Sequence, residues 1–239
     1  MTIAGLQKTS LIDYPGKISA VIFTSGCNLS CPFCHNPELV NPKLSMFNIH
    51  ESEIIEFLKK RKKILDGVVI TGGEPTIYPD LIDFIKKIKK LNLLIKLDTN
   101  GTNPELIKKL IDEKLVDYVA MDIKGPLSKY PEIVAKDVDL QNIKKSVELI
   151  KKAPREYSGQ AKIDYEFRTT VIPKYLDKKD FEKIGEWFKG AKNYYLQQYR
   201  NTKTLDPDFQ HVYPYDESKL QEFAKIMKKY VKDIGIRGI

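Results

Sequence analysis

Cys27, Cys31 and Cys34 lie within eight residues of one another, and the chain has no other cysteine. An odd number packed so tightly makes a poor disulfide framework and a good metal site. Thiolates are soft ligands that suit zinc or an iron–sulfur cluster. A structural zinc ion wants four ligands. His35 is the obvious fourth, but it directly follows Cys34, and adjacent residues rarely reach one tetrahedral ion. A four-iron cubane on three cysteines leaves one iron open for a further ligand. Three other segments are chemically loaded: Gly72-Gly73-Glu74-Pro75, Asp98-Thr99-Asn100-Gly101 and Asp122-Ile123-Lys124. Each has a plainer alternative: an ordinary turn, an Asx-type turn before a helix capped by Asn103, and an ion pair at a strand end. Arg168, in EFRTTVIP, is a charge among strand formers and is expected to face an interior. His50 and His211 carry no motif and are read as surface residues.

The elements that must position these residues alternate along the chain. Apolar runs predict strands at Ile18–Thr24, Gly67–Thr71, Leu93–Asp98, Val116–Asp122, Ile163–Val171 and Tyr194–Tyr199. Between and after them, apolar residues three or four apart predict helices near 50–64, 79–91, 103–114, 139–152, 178–189 and 216–233. Asn103 before Pro104, and Asp177, are expected helix caps. Six strand–helix units imply an α/β fold with a mainly parallel sheet, read here as a partial (β/α)6 barrel. A flat doubly wound sheet is the alternative. The loaded segments all follow strands, and the carboxyl ends of parallel strands are where ligands bind. The stretches 154–162 and 199–217 read as loops, the second flexible until a partner binds. No linker or low-complexity segment divides residues 1–239, so one domain is expected.

Composition narrows the classes. Hydrophobic residues make up 42% and charged residues 30%, as in a globular protein. Apolar runs are too short for a membrane helix, and the first residues lack a signal-peptide layout, so a cytoplasmic chain is expected. The net charge of +8 is spread as lysine pairs along helix exteriors, with no basic–aromatic motif for nucleic acid.

The spacing C-x3-C-x2-C, with aromatic Phe33 before the last cysteine, resembles the signature of the radical S-adenosylmethionine superfamily. That resemblance implies a 4Fe-4S cluster on Cys27, Cys31 and Cys34, with S-adenosylmethionine on the open iron. Reductive cleavage then yields methionine and a 5′-deoxyadenosyl radical. Gly72-Gly73-Glu74-Pro75 resembles the family's GGEP, whose glycines allow close backbone approach and whose backbone and Glu74 would meet the methionyl ammonium. Asp98-Thr99-Asn100-Gly101 resembles the DTNG of glycyl-radical activating enzymes, where Asp98 would accept ribose hydroxyls. Asp122-Ile123-Lys124 resembles their D-x-K. Ser10–Lys17, SLIDYPGK, is similar to their S-x-x-D-G-P-G lead-in with Tyr14 in place of a glycine, and Cys34-His35-Asn36-Pro37 matches their CHNP. By the same resemblance Phe33, His35, Arg168 and Arg200 are cofactor-side candidates, Arg200 standing where a relative has an adenine-contacting histidine. The implied partner is a glycyl-radical enzyme, in the branch that activates anaerobic ribonucleotide reductase. Electrons would come from a low-potential donor such as flavodoxin or ferredoxin, and extra ferredoxin-like clusters are excluded for want of cysteines. The alternatives are an enzyme of the same superfamily acting on a small molecule, peptide or RNA, and a non-catalytic zinc or cluster scaffold.

Overall fold

The computed structural model describes residues 1–40, 48–153 and 163–239; the expected loop at 154–162 lies outside the described residues. The strands are β1 (Ile3–Ser10), β2 (Ser19–Thr24), β3 (Gly67–Gly72), β4 (Leu94–Thr99), β5 (Tyr118–Asp122), β6 (Asp164–Val171), β7 (Asn193–Gln198) and β8 (Asp233–Arg237). The helices are α1 (Pro37–Val40), α2 (Glu51–Arg61), α3 (Leu81–Lys89), α4 (Pro104–Asp112), α5 (Tyr130–Val134), α6 (Leu140–Lys152), α7 (Lys178–Trp187) and α8 (Glu217–Met227). The strands follow sequence order in an open sheet. β1 runs antiparallel to β2, whereas β2–β3, β3–β4, β6–β7 and β7–β8 pair parallel. Parallel neighbours joined through a helix are what strand–helix repeats build.

All six predicted strand–helix units are present, and two strands are added. β1 escaped the pattern because IAGLQKTS does not alternate cleanly and ends in three exposed residues before Ser10. The last helix, expected to reach 233, stops at Met227, with Lys228 as its C-cap. Val231 continues the apolar spacing past that end and hid the start of β8. The expected caps are made. Asn103 accepts from the Leu106 amide at 3.2 Å, and Asp177 accepts from the Lys179 and Asp180 amides at 2.8 and 3.2 Å.

Two compact units, interleaved along the chain, make up the fold. The first comprises Met1–Asn28, Glu38–Ala120 and Asn142–Asp164. In it Tyr14, Val21, Val69, Tyr118 and Ala120 form one buried cluster, with Phe23 and Leu94 against it. The tyrosine that replaces a glycine in the lead-in is therefore a core residue. Its ring lies 5.8 Å from that of Tyr118. The second unit comprises Leu29–Pro37, Met121–Gln141 and Tyr165–Ile239. Its core is aromatic: Phe188 meets Phe167 at 4.7 Å and Tyr194 at 5.2 Å, and Phe181 stacks on Phe223 at 4.5 Å.

Candidate active site

In the first unit the loops after β2, β3 and β4 are bound into one structure. The Gly73 amide donates to the Thr24 carbonyl at 2.9 Å, and the Glu74 amide to that of Gly26 at 2.8 Å. The Gly26 amide in turn donates to Leu39 at 2.6 Å, and that of Cys27 to Val40 at 3.2 Å. Gly72 has φ +123°, and a Cβ there would run into the Thr24 backbone. A Cβ on Gly73 would overlap the Gly26 carbonyl and lie 2.8 Å from that of Leu39. The glycine pair is thus required by backbone packed against backbone, one residue before Cys27. Gly73→Ala is expected to cost roughly 1–3 kcal/mol of stability, as overpacking does. Urea unfolding of the anaerobically purified protein checks this, and an unchanged midpoint would show that the loops do not meet so closely.

Glu74 is completely buried. Its Oε1 accepts from the Thr76 amide (3.0 Å), the Thr76 hydroxyl (2.5 Å) and the Thr99 hydroxyl (2.7 Å), and its Oε2 accepts from the Asn100 amide (2.6 Å). Burial raises its pKa, while the hydrogen bonds from Thr76, Asn100 and Thr99 pull the other way. The carboxylate therefore clamps the GGEP loop to the DTNG loop. Asn100 donates to Asn28 at 2.9 Å, Asn28 donates to Thr102 at 2.7 Å, and Ser146 holds the Gly101 carbonyl at 2.6 Å. Asp98, at the end of β4, is paired with the Lys96 ammonium at 2.9 Å.

The second unit gathers the other candidates. Cys34 donates its amide to the Cys31 carbonyl at 3.0 Å, closing a turn. Phe33 is buried, its ring 6.4 Å from those of Tyr175 and Phe209. His35 stacks on Tyr199, and its Nε2 lies 2.7 Å from the Arg200 carbonyl, while the Arg200 side chain is exposed. The Leu205 amide donates to Cys34 (3.0 Å) and that of Asp206 to Pro32 (2.8 Å). The 199–217 segment is irregular, as expected, but it is not loose. Tyr199 and Phe209 are buried, the Tyr199 hydroxyl donates to the Phe209 carbonyl at 2.6 Å, and Asp206 caps a 3-10 turn at Pro207–His211. Polarity and two prolines suggested flexibility; two buried rings and a cap supply the order instead.

Arg168 donates to Asp122 at 2.7 Å, and Lys124 reaches the other oxygen of that carboxylate at 3.3 Å. Buried Glu166 takes a bidentate pair from Arg237 at 2.7 and 2.8 Å, and the Arg237 guanidinium sits 3.6 Å from the Tyr195 ring centre. Burial opposes the charge on Asp122, but Arg168 and then Lys124 outweigh it and hold the carboxyl well below its usual range. Lys124 is raised, burial again being outweighed by Asp122 and by the negative charge of Cys31. His50 and His211 are exposed, as expected.

The sequence reasoning missed Thr76, Lys96, Glu166 and Arg237. Lys96 carried a signal, being a charge inside the apolar run LLIKLDT. Thr76 is a local partner, two residues beyond the Glu74 it caps, whereas Glu166 and Arg237 become visible only when distant segments meet.

The donor set fits an iron–sulfur cluster. None of the three thiols is in a disulfide, and Lys124, a cation, lies within electrostatic reach of Cys31. Among the described residues no three His, Cys, Asp or Glu side chains are gathered as ligands of a single ion. A cubane asks for no such convergence, because its thiolates bind separate irons.

An open, mainly parallel α/β sheet with a three-thiol loop after its first parallel strand defines a class of cluster-using enzymes. The Radical SAM superfamily model matches residues 21–188, and the chain belongs to that superfamily. It is 38% identical, over 99% of its length and 96% of the relative's, to a candidate glycyl-radical enzyme activating enzyme of Methanocaldococcus jannaschii. It is 32% identical to the pyruvate formate-lyase-activating enzyme of Clostridium pasteurianum over 51% of this chain and 52% of that one. Streptococcus suis SuiB bound to its precursor peptide SuiA has the same fold, with a TM-score of 0.67 and 14% identity over 91% of this chain and 48% of that one. SuiB bound to S-adenosylmethionine gives 0.65 at 16% identity. No helix among the described residues is long and apolar enough to cross a membrane.

Proposed function

We propose that this radical S-adenosylmethionine enzyme activates a glycyl-radical enzyme, abstracting hydrogen from a glycine Cα of its partner. The observation that carries this is the 38% identity to a candidate activating enzyme along nearly the whole of both chains. When bound, the cluster and S-adenosylmethionine supply reductive cleavage of the sulfonium C–S bond and the 5′-deoxyadenosyl radical that takes the hydrogen. Cys27, Cys31 and Cys34 hold the cluster. The backbone of Gly72, Gly73 and Glu74 faces the methionyl ammonium, with the Glu74 carboxylate fixing that backbone. Asp98 takes the ribose hydroxyls, beside Thr99 and Asn100. Phe33 and His35 brace the cysteine loop, and Arg168, Arg200 and the 199–217 segment border the substrate side. Residues 1–239 act as one functional domain, since the family match crosses both units. The partner is an anaerobic ribonucleotide reductase, and a flavodoxin or ferredoxin donates the electron. A glycyl radical is stabilised by its two flanking amides, so the partner can store it, while this chain binds, orients and shields the cofactor.

The test supplies peptides copied from the partner's glycine-bearing C-terminal segment, deuterated at the glycine Cα. Deuterium is expected in 5′-deoxyadenosine, because the radical takes the hydrogen held nearest. A small metabolite that transfers its hydrogen while every glycine peptide fails would replace the activator with a small-molecule enzyme. Zinc as the sole tightly held metal, with no iron acquired anaerobically, would favour a scaffold.

A further inference from the structure

Lys96 lies in the middle of β4 with only 2% of its surface exposed. Lysine is almost never so buried unless paired, because its ammonium is strongly hydrated in water. Its Nζ donates to the Asp13 carbonyl at 2.7 Å, pairs with Asp98 Oδ1 at 2.9 Å and lies 5.9 Å from the centre of the Tyr118 ring. Residues two apart on a strand share a face. Lys96 therefore stands directly behind Asp98, on the side away from the DTNG turn.

The residue that carries this carbonyl is itself held through its amide and its carboxylate. The Ser10 hydroxyl oxygen accepts from the amides of Ile12 (3.3 Å) and Asp13 (3.2 Å) and donates to the Asp13 carboxylate. This is the S-x-x-D of the lead-in, folded into a self-bonded turn. Tyr14 follows it into the core and packs on Tyr118, the same ring that Lys96 approaches. Two segments 83 residues apart are thereby joined through one ammonium.

We propose that Lys96 is a positioning residue: anchored by the Ser10–Asp13 turn, it fixes the Asp98 carboxylate in the orientation that reads the ribose hydroxyls of S-adenosylmethionine. This rests on the assignment of Asp98 to the ribose. It gives the SLIDYPGK segment, which lies at the amino-terminal end of β2, a task in cofactor selection.

The test is calorimetric titration of the anaerobically reconstituted holoprotein with S-adenosylmethionine and with its 2′-deoxyribose analogue. The wild type is expected to prefer the natural cofactor by about tenfold, the value of one good hydrogen bond to a charged group. Lys96→Met should weaken S-adenosylmethionine about tenfold and erase that preference, and should add no more than about twofold to Asp98→Asn. A change that only loosened the fold would weaken both ligands alike and leave the ratio standing. Retention of the preference in Lys96→Met, or an equal loss in the Asp98→Asn background, overturns the proposal. Asp98→Asn with unaltered affinity and preference would show instead that Asp98 does not meet the ribose, and the Lys96 proposal falls with that assignment. Should Lys96→Met not fold, Ser10→Ala loosens the same anchor at one remove, by a smaller change. It is expected to cut the preference about threefold, and an unaltered preference would count against the relay.

Discussion

Cys31→Ala is expected to leave a folded protein that cannot assemble a complete four-iron cluster and releases almost no methionine or 5′-deoxyadenosine. Cys31 is buried, sits in the turn closed by the Cys34 amide and lies within the field of Lys124. Three thiols are all the cysteines the chain owns, so no neighbour can substitute. Losing even an outer-shell partner costs a metal site about 10–100-fold; a ligand should cost more, and cofactor cleavage should fall at least about 100-fold. Iron and sulfide content after anaerobic reconstitution, read beside product release, checks both halves. A full cluster with normal cleavage in Cys31→Ala would remove Cys31 from the site. A lost cluster beside unchanged circular dichroism would separate the chemistry from the fold.

Glu74→Ala is the second large effect, and it falls on the fold first. The substitution leaves the Thr76 amide and hydroxyl, the Thr99 hydroxyl and the Asn100 amide without the carboxylate they share in a fully buried place. A buried donor left unsatisfied costs about 1–3 kcal/mol, so losing the shared acceptor of several comes to about 3–5 kcal/mol. For a chain of this size that lowers the melting temperature by roughly 6–20 °C. Cofactor affinity should fall as well, because both loops that would carry it lose their common anchor. Glu74→Gln keeps the volume but sets an amide N–H₂ against donors, so it should be destabilising to a smaller degree.

The pH dependence of that second variant has a definite sign. Burial raises the folded pKa of Glu74 above its unfolded value of about 4.3. Ionising it is then harder in the folded state, so wild-type stability from this group is greatest below the unfolded pKa and declines as pH rises through the folded one. Glutamine does not titrate. The melting-temperature gap between wild type and Glu74→Gln should narrow on going from pH 4.5 towards neutrality. A gap that widens over this range would mean that the hydrogen bonds from Thr76, Asn100 and Thr99 outweigh burial.

The sequence by itself determined the chemistry and most of the scaffold. Cys27, Cys31 and Cys34 are bound to one another by spacing within a single loop, which no packing can change. Helices such as α3 and α4 are legible because their apolar stripes repeat at a helical period, and Asn103 and Asp177 act on amides two or three residues away. Signals of this kind are local, so they survive without a fold. β1 and β8 were lost because a strand at the edge of a sheet owes its state to its neighbour more than to its own alternation.

Only the tertiary structure decided what the motif residues touch. GGEP looked like glycines opened for a ligand; packing shows Gly73 pressed on the Gly26 carbonyl and Glu74 turned onto Thr99 and Asn100. SLIDYPGK looked like a lead-in; its Asp13 carbonyl meets Lys96, 83 residues away. The 199–217 loop looked loose, yet Phe209 is buried in the second unit's core. A carboxylate or an ammonium specifies only that it must find partners once buried. Which partners it finds depends on segments brought together by the sheet, and that information lies in the pairing of β2, β3 and β4, not in any one of them.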